Sequence, residues 1–436
     1  MGFLLPFILT AGIIVILASI QEIRKFLIGR WKLRKLPRIK GLPFFGNALS
    51  FFGHDQEGPI WKTHRKLLTP SFNSQTIQTF LPIFNAKAKT MLSNLDRVVE
   101  HSDRDFLKYI YYCTLEMICE TTLGFNINVQ NGKNLDYFEA VDSIGKIVGK
   151  RFFQVWYYID AIYKHSKQFV QETKFFEIAY RLSNTLIEEK KQEYLTEMSN
   201  DSTGKPHILI NRLLKLHLDG EFTQENVKDE VDTMIAAGHD TSALTISFTL
   251  LMLAIHQDIQ DKVLEEIRSV NPNPTAEMTF EDAGKLTYME MVLKETMRLF
   301  PILPISGRVC TEDTKFSNGV IPEGTNLLLF SFRLHRLESI WGPRANDFYP
   351  DHFLPENVAQ RHPYSYVPFG GGLRNCIGNK YAFLSMKTIL ALFLKNFHVT
   401  ADGITMADVK PSMITTMQVR QTDKIRIMRR KLPGSV

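Results

Sequence analysis

Between about Trp61 and Arg298 apolar residues recur at three- and four-residue spacing, a period that predicts helices. The clearest runs are Ile178–Met198 and Val227–Gln257. From Cys310 to Phe332 the pattern changes. Asn318-Gly319 is a hairpin-type dipeptide, and Asn326-Leu327-Leu328-Leu329-Phe330 reads as a short strand. A proline-rich coil follows through Pro343, Pro350, Pro355, Pro363 and Pro368, and a last helix is expected from about Asn379 to Lys395. The expected fold class is mainly α with a small β-sheet, carried by residues 47–436.

The first twenty residues break this pattern. Met1 to Ile20 carries no charge and is about long enough to span a bilayer. Residues 21–40 then hold Arg24, Lys25, Arg30, Lys32, Arg34, Lys35, Arg38 and Lys40 against the single acid Glu22. Basic residues after the span, with none before it, place the following chain on the cytoplasmic side. A cleaved signal peptide normally opens on positive charge. Its absence here favours a retained anchor at residues 1–20. The run Leu36-Pro37-Arg38-Ile39-Lys40-Gly41-Leu42-Pro43 predicts a stiff hinge that completes a juxtamembrane segment over residues 21–46.

The net charge of +6 is this local cluster, because acids and bases balance elsewhere (44 basic against 45 acidic residues). A nucleic-acid partner therefore has no support. Four cysteines occur, Cys113, Cys119, Cys310 and Cys376, with no Cys-x-x-Cys pair or Cys/His spacing for zinc. In a cytosolic domain they stay reduced, and three read as small buried residues.

Cys376 differs in its setting, Phe369-Gly-Gly-Gly372-Leu-Arg374-Asn-Cys376-Ile-Gly378. A loop running into a helix surrounds a sulfur with N–H groups that favour the thiolate. Its glycines let the backbone pass close to a flat macrocycle. Arg374 can reach a carboxylate through charge-assisted bonds. The second constellation is Ala236-Ala237-Gly238-His239-Asp240-Thr241-Ser242, inside the long predicted helix. Glycine there costs about 1 kcal/mol relative to Ala, and the hydroxyls can bend a helix by bonding back to a carbonyl. Alone, the pattern fits a bent helix as well as an acid–alcohol pair for proton delivery. The third is Glu295-Thr-Met-Arg298, one helix face able to form a local ion pair, followed by Leu299-Phe300-Pro301 and, downstream, Trp341-Gly-Pro and Phe348-Tyr-Pro350-Asp351-His352-Phe353-Leu-Pro-Glu-Asn357. The fourth is Trp61-Lys-Thr-His-Arg65-Lys-Leu-Leu-Thr-Pro-Ser-Phe72.

Together, in their order along the chain, the four resemble the cytochrome P450 superfamily. Gly238-His239-Asp240-Thr241, Lys66-Leu-Leu-Thr-Pro70 and Phe353-Leu-Pro-Glu-Asn357 resemble its family-4 clan of fatty-acid ω-hydroxylase-like and insect members. The resemblance implies a haem-thiolate monooxygenase with non-covalent haem b, Cys376 as iron ligand, and O2 as co-substrate. Electrons would come from NADPH through a flavoprotein reductase docking on a basic face where Lys380 and Lys387 contribute. It implies an endoplasmic reticulum membrane location and a lipophilic substrate: a fatty acid, terpenoid, steroid or xenobiotic. Cofactor contacts are implied for Trp61, Arg65, Arg308, Phe369, Gly372, Arg374 and Gly378, and proton delivery for Asp240 and Thr241. Candidate pocket residues are Ala236, Ala237, Leu303, Pro304 and Ile305.

Three departures qualify what is implied. Many clan members carry Glu, covalently linked to haem, where this chain has Ala237; that link is excluded and strict terminal hydroxylation is less secure. The family's core lock joins Glu and Arg to a downstream Arg, whereas here the third position is His352, which lacks the planar fork. A weaker lock is expected. Finally, Trp61 follows Phe45-Gly46 almost at once, where the family places several tens of residues of helix, strands and pocket roof. Without them the hairpin around Asn318-Gly319 loses partners and exposes an edge. Two alternatives stay open: a non-catalytic splice or gene-model variant, and a haem-thiolate isomerase, which Asp240 and Thr241 argue against.

Overall fold

A computed structural model describes residues 58–101, 106–199, 208–316, 319–421 and 424–430. The expected anchor, basic segment and hinge lie outside the described residues. Helices of ten or more residues are α1 (Gly58–Leu68), α2 (Leu81–His101), α3 (Leu107–Ile118), α4 (Leu135–Phe153), α5 (Lys167–Ser199), α6 (Leu209–Leu218), α7 (Gln224–Ile255), α8 (Gln257–Val270), α9 (Thr287–Leu299) and α10 (Asn379–Asn396). The fold is mainly α, as the periodicity implies.

The chain forms two compact units. Of the described residues, the smaller holds 58–63 with those from Ile305 to Leu329, and the larger holds those from His64 to Pro304 and from Phe330 to Arg430. In the smaller unit β1 (Ser306–Val309) pairs antiparallel with β4 (Asn326–Leu329), Arg308 opposite Leu327, and β2 (Thr314–Phe316) pairs with β3 (Gly319–Ile321). The hairpin forms where Asn318-Gly319 predicts it, although Asn318 itself lies outside the described residues. Both ladders are two-stranded among the described residues.

In the larger unit α7 is the central element and packs against α3, α9 and α10. It starts at a reciprocal cap. Thr223 Oγ1 accepts the Asn226 N–H at 3.1 Å, and Asn226 Oδ1 accepts the Thr223 N–H at 3.0 Å. Its second half, Ser242 to Ala254, is buried throughout. Of the described helices only α7 is long and apolar enough to cross a membrane, and most of it is core. Phe248 stacks on Phe300 with ring centroids 4.6 Å apart, joining α7 to the end of α9. The start of α9 is held by Glu266 of α8, whose carboxylate accepts the Tyr288 and Met289 N–H groups at 2.6 and 2.9 Å.

The proline-rich segment is not plain coil. It folds as short helical turns at Pro350–Phe353, Pro355–Ala359 and Pro363–Ser365, each with proline in its first turn, where no N–H is needed. After α10 come four strands that periodicity alone does not announce. β5 (Phe397–Ala401) pairs with β8 (Ile425–Arg429), and β6 (Ser412–Met413) with β7 (Met417–Gln418), both antiparallel.

Candidate haem-thiolate site

The loop before α10 is closed by its own backbone: the Cys376 N–H donates to the Phe369 carbonyl at 2.8 Å. Gly370 and Gly372 both take φ of +71°, a left-handed conformation that side chains resist. The Phe369 ring packs on Phe383 of α10, fixing the loop to the helix. Cys376 is exposed, whereas Cys113, Cys119 and Cys310 are buried. Burial of its surroundings pushes the Cys376 thiol up, and the Gly378 N–H and the Arg65 charge pull it back. The net direction is upward, so the free thiol holds its proton near neutral pH; an iron ion bound there would displace it.

Arg65 lies at this loop. Its Nη1 donates to the Asn375 carbonyl at 2.8 Å and its Nη2 to Asn375 Oδ1 at 2.9 Å. The preceding residue reaches the other way: His64 Nδ1 lies 2.8 Å from Glu230 Oε1 on α7. Asn375, although inside the loop motif, and Glu230, outside every motif, are not among the site residues expected from sequence, because their role is to hold neighbours. Arg374 and Leu373 are exposed, Leu373 to 84%.

On α7, Ala236 and Ala237 are exposed and Thr241 half-buried. Thr241 Oγ1 donates back to the Ala237 carbonyl at 2.8 Å. Asp240 turns elsewhere, its Oδ2 accepting the Thr416 hydroxyl at 3.0 Å. Burial raises the Asp240 pKa and Asp142 adds to the rise, while His239, Thr416 and Lys146 oppose it. Acid and alcohol are thus neighbours in sequence with different partners. No hydrogen bond among the described residues joins either to the Cys376 loop. The helix is unbroken at Gly238. That glycine has a packing reason as well: an added Cβ would lie 2.6 Å from Ile118 Cγ1 and 2.7 Å from its Cδ1, so α3 approaches closely here. Of the other pocket candidates in this unit, Leu303 is exposed and Pro304 buried, its carbonyl accepting the Phe332 N–H at 3.2 Å.

Glu295 and Arg298 are fully buried and form a fork-to-fork pair, Nε to Oε2 at 2.7 Å and Nη2 to Oε1 at 2.8 Å. The guanidinium also donates to the carbonyls of His335, Ala345 and Asp347 at 2.7, 2.6 and 2.9 Å. Glu295 Oε1 accepts the Tyr349 N–H at 2.7 Å and lies 3.1 Å from His352 Nδ1. Burial alone would raise the Glu295 pKa; bonds from Arg298 and His352 hold it below the ordinary value. His352 thus lies at the carboxylate of the buried pair. A second arginine also attends the cluster: Arg361 lies over the Trp341 ring at 4.3 Å and donates to the His352 carbonyl. The sequence gives no sign of it, because it falls nine residues after His352, outside the motif.

The basic-face residues divide. Lys380 is exposed, its Nζ 2.9 Å from Ser74 Oγ. Lys387 is a correction: expected on a docking face, it is buried, donating to the Ala283 carbonyl at 2.9 Å and to Glu290 at 2.7 Å. In the smaller unit, Trp61 and Ile305 are half-buried, and Arg308 Nη1 donates to the Gly307 carbonyl at 2.6 Å.

The residues present fit a haem. One exposed thiol sits in a loop whose glycines keep side chains away, with a guanidinium beside it and apolar surface left open at Leu373 and at Ala236 and Ala237. No group of three or more His, Cys, Asp or Glu among the described residues could hold a metal ion by itself. A family model described as Cytochrome P450 matches residues 44–428. The chain belongs to the cytochrome P450 family.

This P450 is 33% identical over 355 residues to Cytochrome P450 4V2 of Homo sapiens, an alignment covering 79% of this chain and 67% of that protein. It is 32% identical over 357 residues to Cytochrome P450 4c3 of Drosophila melanogaster, covering 78% and 66%. To Probable cytochrome P450 313a1 of the same fly it is 34% identical over 387 residues, covering 86% and 76%. The family-4 resemblance thus holds, and this P450 spans about two thirds of the length of the family-4 relatives it matches. Family membership implies a haem iron cofactor.

Proposed function

We propose that this P450 is a haem-thiolate monooxygenase that inserts one atom of O2 into a lipophilic substrate, with electrons from an NADPH-dependent flavoprotein reductase. The observation that carries the reading is the exposed Cys376 thiol on a glycine-rich loop, flanked by the Gly378 N–H and Arg65. When bound, haem supplies dioxygen activation, which an axial thiolate favours. The chain's own residues have separable tasks. Cys376 ligates, and Gly378 stabilises its anionic sulfur. Arg65 and Arg374 bring positive charge for the cofactor's carboxylates. Asp240 and Thr241 hold and pass protons. Ala236, Ala237 and Leu303 offer small or aliphatic surface, which suits a fatty acid, terpenoid, steroid or xenobiotic. An anchor at residues 1–20 would hold the enzyme on the cytoplasmic face of the endoplasmic reticulum.

The test is Cys376→Ser in the full-length chain, read by haem content and by the spectrum of the reduced, carbon-monoxide-bound protein. The expected result is loss of the thiolate-type absorption with the helical content unchanged. Unchanged pigment and spectrum in the variant would overturn the assignment. A folded parent protein that takes up no haem would favour a non-catalytic role instead.

A further inference from the structure

The β6–β7 hairpin ends in a turn, Ile414 to Thr416, seated against α4. Thr415 Oγ1 donates to the Gly145 carbonyl at 2.6 Å. One helical turn on, a Cβ at Gly149 would collide with Thr415 Oγ1 and lie 2.5 Å from Ile414 Cγ2 and 2.6 Å from the Thr415 nitrogen. No side chain larger than hydrogen fits there unless the turn moves away. Beyond the turn, the Met417 N–H donates to the Ile302 carbonyl at 2.9 Å. These contacts fix the position of Thr416, which is 9% exposed.

The Thr416 hydroxyl lies 3.0 Å from Asp240 Oδ2 on α7, and its oxygen accepts from Gln418 Nε2 at 2.8 Å. A threonine hydroxyl carries one proton. With the amide donating to its oxygen, that proton is committed to the carboxylate. The chain of donors runs one way, from Gln418 through Thr416 to Asp240. Other titratable groups acting on Asp240 are His239 on the same helix, Tyr111 on α3, and Asp142 and Lys146 on α4, themselves paired at 2.5 Å.

We propose that Thr416 is a positioning residue for the Asp240 carboxylate, with Gln418 orienting its hydroxyl and Gly145 and Gly149 forming the seat that holds its turn. The proposal rests on the reading of Asp240 as a proton-handling group. Thr416 bonds the charged form of the acid. Losing that bond leaves the carboxylate less stable as an anion and able to keep its proton to higher pH. Asp240 already has a raised pKa in the fold. Its ionisation therefore penalises the folded state, and the penalty grows as pH rises from the unfolded value through the folded one. Removing Thr416 deepens the penalty at neutral pH, and acid relieves it.

The experiment uses the full-length chain with Thr416→Val, Thr416→Ser and Gln418→Leu, each also combined with Asp240→Asn. Thermal unfolding is followed against pH, and product formed per NADPH consumed is followed against pH in the reductase-supported enzyme. Thr416→Val is expected to lower Tm by about 2–4 °C at neutral pH. That deficit should shrink in acid, and its dependence on pH should vanish in the Asp240→Asn background. Product per NADPH should fall and its pH profile move, with Thr416→Ser restoring both. Gln418→Leu, at a half-buried site, should give a smaller change of the same sign if Thr416→Val fails to fold. A Tm deficit that is equal at all pH values and persists in the Asp240→Asn background would overturn the proposal and leave Thr416 a packing residue. If the Tm coupling holds while Asp240→Asn alone leaves product per NADPH unchanged, Thr416 positions the carboxylate, and the proton role of Asp240 is what fails.

Discussion

Replacing Arg298 with lysine keeps the charge but removes the fork. In the structure one guanidinium satisfies five bonds: two to Glu295 and one each to the carbonyls of His335, Ala345 and Asp347. A lysine ammonium has three donors at one point, so at least two buried acceptors lose their partner. Each unsatisfied buried group costs about 1–3 kcal/mol, and disrupting a buried ion pair costs about 3–5 kcal/mol. We therefore expect Arg298→Lys to lose about 3–5 kcal/mol, a large share of the roughly 5–15 kcal/mol that holds a typical domain. Urea unfolding followed by far-ultraviolet circular dichroism reads this as a midpoint lower by roughly 1–2 M. The exposed Lys285–Glu281 pair is the control: Glu281→Gln should produce no measurable shift. A midpoint for Arg298→Lys within about 0.3 M of the parent would refute the view that the fork anchors this region.

Two glycines on α4 should respond with opposite sign. Gly149→Ala forces a Cβ onto the backbone of the 414–416 turn and should lower Tm, at an overpacking cost of about 1–3 kcal/mol. Gly145→Ala meets nothing within 4 Å and should raise stability by about 0.5–1 kcal/mol through helix propensity. His335 is fully buried and its pKa is pushed down to about 4 by burial and by Arg298. Its folded pKa lies below the unfolded value of 6.5, so the unfolded chain takes up a proton first. Stability should fall as pH drops from about 6.5 to about 4 and then level off, and His335→Gln should flatten that slope in urea titrations.

The helical half of the fold is legible because long amphipathic runs carry their own period. The expected α7 and α10 agree with the observed helices within about three residues. The Thr223-x-x-Asn226 cap, a local signal outside the apolar period, sets the start of α7 three residues before the first apolar position of that run. The strands after α10 escape because β5 pairs with β8 across more than twenty residues, and a pairing set by distant register leaves only a weak local pattern. Thr416 escapes with them. Motif residues such as Glu295 and Cys376 are legible by type and spacing. Asn375, Glu230 and Arg361 are not, because they serve the site through a neighbour that only the folded chain brings near. Lys387 misleads because surface residence is lysine's ordinary state, and its bonds to Glu290 and to the Ala283 carbonyl keep it inside.

Two consecutive side chains of α1 hold different parts of the larger unit, His64 the carboxylate of Glu230 and Arg65 the backbone beside Cys376. A helix gripping both ends makes their fluctuations one event. The amides around the sulfur and those of the first turns of α7 should therefore exchange with deuterium through a shared opening, and a ligand that quiets one should slow the other.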